Sequence, residues 1–286
     1  MLEIITHSFL HALTDTLRML PVLFLAYLLM EALEHFEGGR LSAFMRKSRK
    51  LGPLMASAIG LIPQCGFSGG IASLYAAGTV TTGTLIAVIL ATSDEMLPVL
   101  LSANISIKII IAILFAKLLI GTLFGFITDF ILKRKNTEVK ENIHEFCERE
   151  HCSCKDGVVL SALKHTLKIA GIILIVIALL NFLFELISQD TLKSILNIPV
   201  ISELFASLIG LIPSCTVSVL LTNLYANGAL GISPLLCGLL TNGGIGLLVL
   251  YRANPNKKAN LLITVTILVI GFVAGSLFGL LFNNIL

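Results

Sequence analysis

The chain repeats itself. Gly60-Leu61-Ile62-Pro63 returns as Gly210-Leu211-Ile212-Pro213, Cys65 as Cys215, Ser68 as Ser218, Leu74-Tyr75-Ala76 as Leu224-Tyr225-Ala226, and Gly78 as Gly228, all at an offset of 150. Ala12-Leu13 and Thr16-Leu17 match Ala162-Leu163 and Thr166-Leu167 in the same register. Near the ends the offset is 154, where Gly121-Thr-Leu-Phe-Gly125 matches Gly275-Ser-Leu-Phe-Gly279. So many matches in one register, around Pro and Cys, mark a unit built twice. The fold must accommodate two copies of it.

Hydrophobicity decides the solvent of that duplicated unit. Of 286 residues, 56% are hydrophobic and only 13% charged, and mean hydropathy is +0.95. A soluble domain carries about 25% charge, so this chain cannot cover its surface with polar groups in water. Its apolar runs reach the roughly 20 residues that a membrane helix needs. Soluble enzymes, nucleic-acid binders and secreted disulfide domains are excluded. The net charge of +3 is small and sits in a few loops. Of the six Cys, Cys147, Cys152 and Cys154 crowd one polar loop, whereas Cys65, Cys215 and Cys237 lie in apolar stretches. That distribution is not a disulfide framework. No cleavable signal peptide is evident, so the first span is expected to be retained.

Three regions follow: a first transmembrane repeat over 1–132, a Cys/His-rich linker over 133–162 and a second repeat over 163–286. Each half reads as a long helix (about 9–36 and 163–187), a Pro-interrupted segment (52–78 and 203–228), a helix interrupted by polar residues (82–101 and 232–250) and a final long helix (105–132 and 259–283). The charges then separate the halves. The loop after the first helix holds Arg40, Arg46, Lys47, Arg49 and Lys50 in half one, but only Lys193 in half two. Before the last helix the bias reverses, with Lys108 alone against Arg252, Lys257 and Lys258. The positive-inside rule then puts equivalent loops on opposite sides of the membrane. Lys133-Arg134-Lys135 places the linker inside and both termini outside. The expected fold is an all-α polytopic membrane protein made of two inverted-topology repeats, as in many secondary transporters. The charge pattern accepts ten crossings, or six crossings plus two re-entrant hairpins. Hairpins tipped at Pro63 and its counterpart are favoured, because Gly60 to Gly70 suits a backbone turn at membrane depth.

Two intramembrane motifs carry candidate chemistry. The turns at Pro63-Gln64-Cys65 and Pro213-Ser214-Cys215 come first. A proline frees a carbonyl one turn earlier, while Gln64 and Ser214 add polar groups and the two Cys add soft sulfur. Taken singly, each would read as a kinked helix with Cys as a small hydrophobe; paired in inverted repeats, they read as a substrate site. The second motif is Thr92-Ser93-Asp94-Glu95. Carboxylates at mid-membrane cost about 2.5–3.5 kcal/mol on insertion scales and normally face a cavity, although Pro98 also allows an ordinary helix end. The matching site, Thr241-Asn242-Gly243-Gly244, is neutral. There Asn242 offers an oxygen, and Gly243 and Gly244 permit unwinding. Lys117, inside the last helix of half one, either snorkels to the surface or pairs with Asp94 or Glu95. The Gly-x-x-x-Gly patterns at Gly121 and Gly125 and at Gly271, Gly275 and Gly279 predict close helix packing.

The linker contains His144, Cys147, His151, Cys152 and Cys154 within eleven positions. Thiolate plus imidazole suits zinc or another soft divalent metal. The spacing is not that of a zinc finger, and an unstructured charged linker with incidental Cys is the plainer alternative. No nucleotide-binding or nucleophile-elbow motif occurs, so the protein is not expected to be an enzyme. No cofactor is required beyond a bound divalent metal as cargo.

The paired Leu-Ile-Pro-x-Cys turns, with His151-Cys152-Ser153-Cys154-Lys155-Asp156-Gly157 followed by Leu163-Lys164-His165-Thr166-Leu167, resemble the bacterial ten-transmembrane heavy-metal exporter family. That family is often labelled a manganese transporter and is named by analogy with arsenic permeases. The resemblance covers nearly the whole chain. It implies export of a metal or metalloid across the bacterial cytoplasmic (inner) membrane. The first reading is therefore secondary export of a divalent cation, manganese first, coupled to protons or sodium, with Asp94 and Glu95 supplying the hard oxygens that manganese prefers. Alternatives are an arsenical held by Cys65 and Cys215, a small organic solute such as an amino acid or organic anion, or a membrane metal sensor or scaffold. The expected partners are the lipid bilayer, the cargo, the coupling ion and a second copy in a homodimer; nucleic acid is not among them.

Overall fold

A computed structural model describes residues 51–63, 66–93, 96–133 and 200–283. It also describes single positions of two further helices, between 13 and 28 and between 159 and 175. Each element it describes is an α-helix. In half one these are α1 (Gly52–Gly60), α2 (Gly66–Ala76), α3 (Thr82–Ala91), α4 (Met96–Ser102) and α5 (Ile107–Lys133). In half two they are α6 (Ile201–Gly210), α7 (Cys215–Ala226), α8 (Ile232–Thr241), α9 (Gly246–Ala253) and α10 (Lys257–Asn283). The two sets match in order and nearly in length, as the repeated sequence requires.

Four stretches among the described residues are long and apolar enough to cross a bilayer: Thr82–Ser102, Ile107–Leu132, Ile232–Ala253 and Lys257–Gly279. The first and third run through a helix, a break and a second helix. Helices α1 and α2 have nine and eleven residues. At 1.5 Å per residue they rise about 14 and 17 Å, roughly half of the 30 Å hydrocarbon core. Neither spans on its own.

The interrupted helices α3 and α8 occupy the centre. Gly83 to Ala91 and Pro234 to Thr241 are buried at every position. A helix that is apolar all round belongs in an interior. The long helices α5 and α10 lie against them and keep one face outward. Exposed Ile107, Ile111, Phe115, Leu119, Leu123, Phe126 and Phe130 recur every three or four residues along α5. Leu261, Val265, Val269, Val273, Leu277 and Leu281 do the same along α10. These stripes are the surfaces expected to meet lipid tails.

Small residues set the spacing between centre and periphery. A methyl on Gly125 would stand 2.8 Å from the carbonyl oxygen of Gly83, and one on Gly275 would stand 2.7 Å from the backbone nitrogen of Cys237. Both distances are below ordinary contact, so α5 on α3 and α10 on α8 approach as closely as backbones allow. The Gly-x-x-x-Gly patterns do mark tight packing. Gly60 and Gly210 repeat the device at the ends of α1 and α6, against the Val88 and Gly238 carbonyl oxygens.

The halves interlock. Helix α2 packs chiefly on α9 of the other half, and α7 packs on α4. One apolar cluster joins Leu85 to Leu90 of α3 with Leu247, Val249 and Leu250 of α9. The other joins Met96 and Leu100 of α4 with Val217, Leu221 and Leu224 of α7. Neither core can be completed from one half alone.

Candidate substrate site at the two helix breaks

Each central helix is held at its start by a carboxylate from elsewhere in its own half. In half one Asp129, near the end of α5, accepts the Gly83 N–H at 2.7 Å and the Thr81 hydroxyl at 2.6 Å. The Thr81 side chain in turn accepts the Thr84 N–H at 3.1 Å. In half two Glu203, in the first turn of α6, accepts the hydroxyls of Ser233 and of Ser276, the latter at 2.7 Å. Asp129 and Glu203 are not equivalent in the repeat. They reach the same kind of helix start from different elements, and neither stands out in the sequence.

The breaks form differently from an ordinary helix end. In half one Thr92 leaves helical geometry with ψ 124, while its hydroxyl still donates to the Val88 carbonyl at 2.7 Å. The Ser93 N–H is taken up by the Gly60 carbonyl at 3.0 Å, so the end of α1 holds the break open. The Ser93 hydroxyl donates to the Ala91 carbonyl at 3.1 Å. In half two Asn242 leaves the helix with ψ 98, and Gly244 turns the chain at φ 51, a left-handed value that glycine adopts without strain. The Asn242 side-chain oxygen accepts the Gly244 N–H at 2.9 Å. That oxygen, expected to face cargo, is thus engaged inside its own turn. The Asn242 Nδ2 group is buried and has no hydrogen-bond partner.

The two breaks are tied together. Ser68 of α2 donates to the Gly243 carbonyl at 2.9 Å, 175 residues away in sequence. A methyl on Gly243 would stand 2.8 Å from Ile89 Cγ2 of α3. Lys117 of α5 supplies a further link. Its Nζ donates to the Thr92 carbonyl in half one and, at 2.8 Å, to the Leu239 carbonyl in half two. With 0% exposure, Lys117 does not snorkel. Carbonyls freed where α3 breaks receive a positive charge, as helix C-termini favour. In the 154 register the half-two counterpart of Lys117 is Gly271, where a methyl would stand 2.4 Å from Thr241 Cγ2. One half therefore carries a buried ammonium where the other leaves no room for a side chain. Lys117 was weighed in the sequence but not placed in the site; its signal was a single ammonium in a long apolar helix.

The paired Pro turns are partly visible. Pro63 is exposed just beyond α1, and Pro213 is half-buried just beyond α6. Ser214 is fully buried and caps α7, its side chain accepting the Thr216 N–H at 3.3 Å. Cys215 opens α7 as a buried thiol outside any disulfide, in the same apolar cluster as Ile89, Leu240 and Ile245. Gln64, Cys65, Asp94 and Glu95 lie outside the described residues, as do His144, Cys147, His151, Cys152 and Cys154 of the linker. Among the described residues no three His, Cys, Asp or Glu side chains come together as a metal cage.

The sequence profile of the family described as "Putative, 10TM heavy-metal exporter" matches residues 3–186, well over half of the chain. No curated protein and no solved structure matches.

Proposed function

Because the chain belongs to the ten-transmembrane heavy-metal exporter family, we propose that it is a multi-pass secondary exporter whose heavy-element cargo crosses between the breaks of α3 and α8. The observation that carries this reading is the meeting of two interrupted helices from the two halves, buried from Gly83 to Ala91 and from Pro234 to Thr241 and bridged by Lys117. Broken helices that meet inside a repeat protein are where secondary transporters bind their cargo. Export then proceeds by alternating access, with one half rocking against the other across the α2–α9 and α4–α7 contacts. The charge reversal between equivalent loops supports inverted topology, and the half-bilayer lengths of α1, α2, α6 and α7 support re-entry at Pro63 and Pro213. The linker faces the cytoplasm of a bacterial cell, and both termini face outward.

Manganese remains the first cargo to test. Asp94 and Glu95 directly follow the Thr92–Ser93 break, and their carboxylates suit a hard divalent cation and a proton exchanged for it. A second reading, a metalloid species, is favoured by the buried thiol of Cys215 and by the unpaired donor of Asn242. Efflux from proteoliposomes loaded with manganese, zinc, cadmium or arsenite, with and without a proton or sodium gradient, separates the readings. Gradient-dependent metal movement is expected, and Asp94→Asn is expected to abolish it while the protein stays in the membrane. Full transport by Asp94→Asn would sink the carboxylate role, and no movement of any of the four would sink heavy-element export.

A further inference from the structure

Asn242 is 3% exposed. The bond from the Gly244 N–H fixes which end of its amide is which, because an N–H donates only to the oxygen. Its Nδ2 group therefore carries two buried N–H donors and no acceptor. An unmet buried donor keeps its desolvation penalty with nothing to offset it. Other asparagines of half two avoid that cost: Asn254 Nδ2 donates to Asn260 Oδ1 at 2.6 Å, and Asn260 Nδ2 donates to the Asn254 carbonyl at 3.0 Å. The unmet donor lies at the break, four residues before α9 begins. That eight-residue helix turns its positive end toward the break. Lys117 adds an ammonium through Leu239, one turn before Asn242. Gly243 and Gly244 bring backbone rather than side chain to the same turn.

The Nδ2 donors, the positive end of α9 and the Lys117 ammonium favour an incoming oxygen and disfavour a bare cation. We infer that the α8–α9 break is a subsite for an oxygen acceptor on the cargo, met by Asn242 Nδ2, so that the exported heavy element travels as an oxyanion or a hydroxylated species. The inference rests on the export reading above, because it takes the break as part of the cargo path. Within that reading it favours the metalloid cargo over manganese(II).

The test uses the full chain in detergent and in proteoliposomes, with arsenite, selenite and manganese(II) as probes. Equilibrium dialysis is expected to show arsenite or selenite bound to the wild type, with manganese(II) binding unchanged by any substitution at 242. Asn242→Asp keeps the oxygen that accepts the Gly244 N–H but removes the donor, and should weaken binding of the oxygen-bearing probe at least tenfold. Asn242→Ala, which has no side-chain donor, serves the same purpose if the Asp variant fails to insert. Equal affinity in wild type and variant, or no binding of either oxygen-bearing probe, overturns the inference. Binding that depends on Asn242 without gradient-driven movement of any probe upholds the subsite and instead sinks export.

Discussion

At position 117 the chain puts an ammonium group where a membrane helix usually carries a methyl. Two carbonyls from different halves receive it and offset part of its cost. Lys117→Met leaves both carbonyls without that donor, at about 1–3 kcal/mol for each one orphaned. The variant should unfold several degrees lower in detergent and lose gradient-driven efflux; unchanged melting would mean that the ammonium is not a structural tie. A neighbouring residue illustrates how far single residues can be read. The sequence located Asn242 as a polar interruption, which it is. It could not say which end of the amide would remain open, because that depends on a turn whose geometry Gly244 sets. Lys117 was visible as an oddity, but its acceptors lie 25 and 122 residues away. No local pattern encodes them.

Among the elements, the central helices were the most legible and their anchors the least. Apolar runs ending in Thr-Ser-Asp-Glu or Thr-Asn-Gly-Gly read as helices that stop early, and burial from Gly83 to Ala91 and from Pro234 to Thr241 makes them interior. Glycines four apart announced the close faces of α5 and α10, because only glycine permits such approach. Asp129 and Glu203 stayed hidden because nothing nearby in sequence marks them as anchors for helix starts whose bonded residues, Gly83 and Ser233, lie 46 residues before and 30 residues after them. Asp129→Asn preserves the shape but weakens a charge-assisted cap. A cap loss of about 0.5–2 kcal/mol is expected, read as a lower melting temperature with efflux retained in the folded fraction. Loss of efflux at full stability would instead give Asp129 a part in transport.

For the molecule as a whole, the repeat predicted two matching sets of helices but not that they would trade partners. Halves set side by side would satisfy the same periodicity. Exchange of α2 and α7 across the midline emerges only from packing, where Ser68 reaches Gly243 and the Cβ of Ser68 stands 2.9 Å from a methyl placed on Gly246. The position invites a covalent lock. Ser68→Cys with Gly246→Cys, in a chain freed of its other cysteines, is close enough to bridge after a shift of under about 1 Å. If rocking of the halves drives export, oxidation should stop efflux and reduction should restore it. Undiminished efflux from the fully oxidised protein would rule out relative motion at this contact.

The exchange of partners also bears on how the protein is made. When half one leaves the ribosome, α2 and α4 have no α9 or α7 to cover them, since those helices are still being translated. Lipid or the insertion machinery must shelter those short segments until the second half arrives. Membrane insertion and tertiary assembly are thus separate events for this chain, and the second cannot begin until translation is nearly complete. The duplication that simplified the architecture also made its two copies obligate to each other.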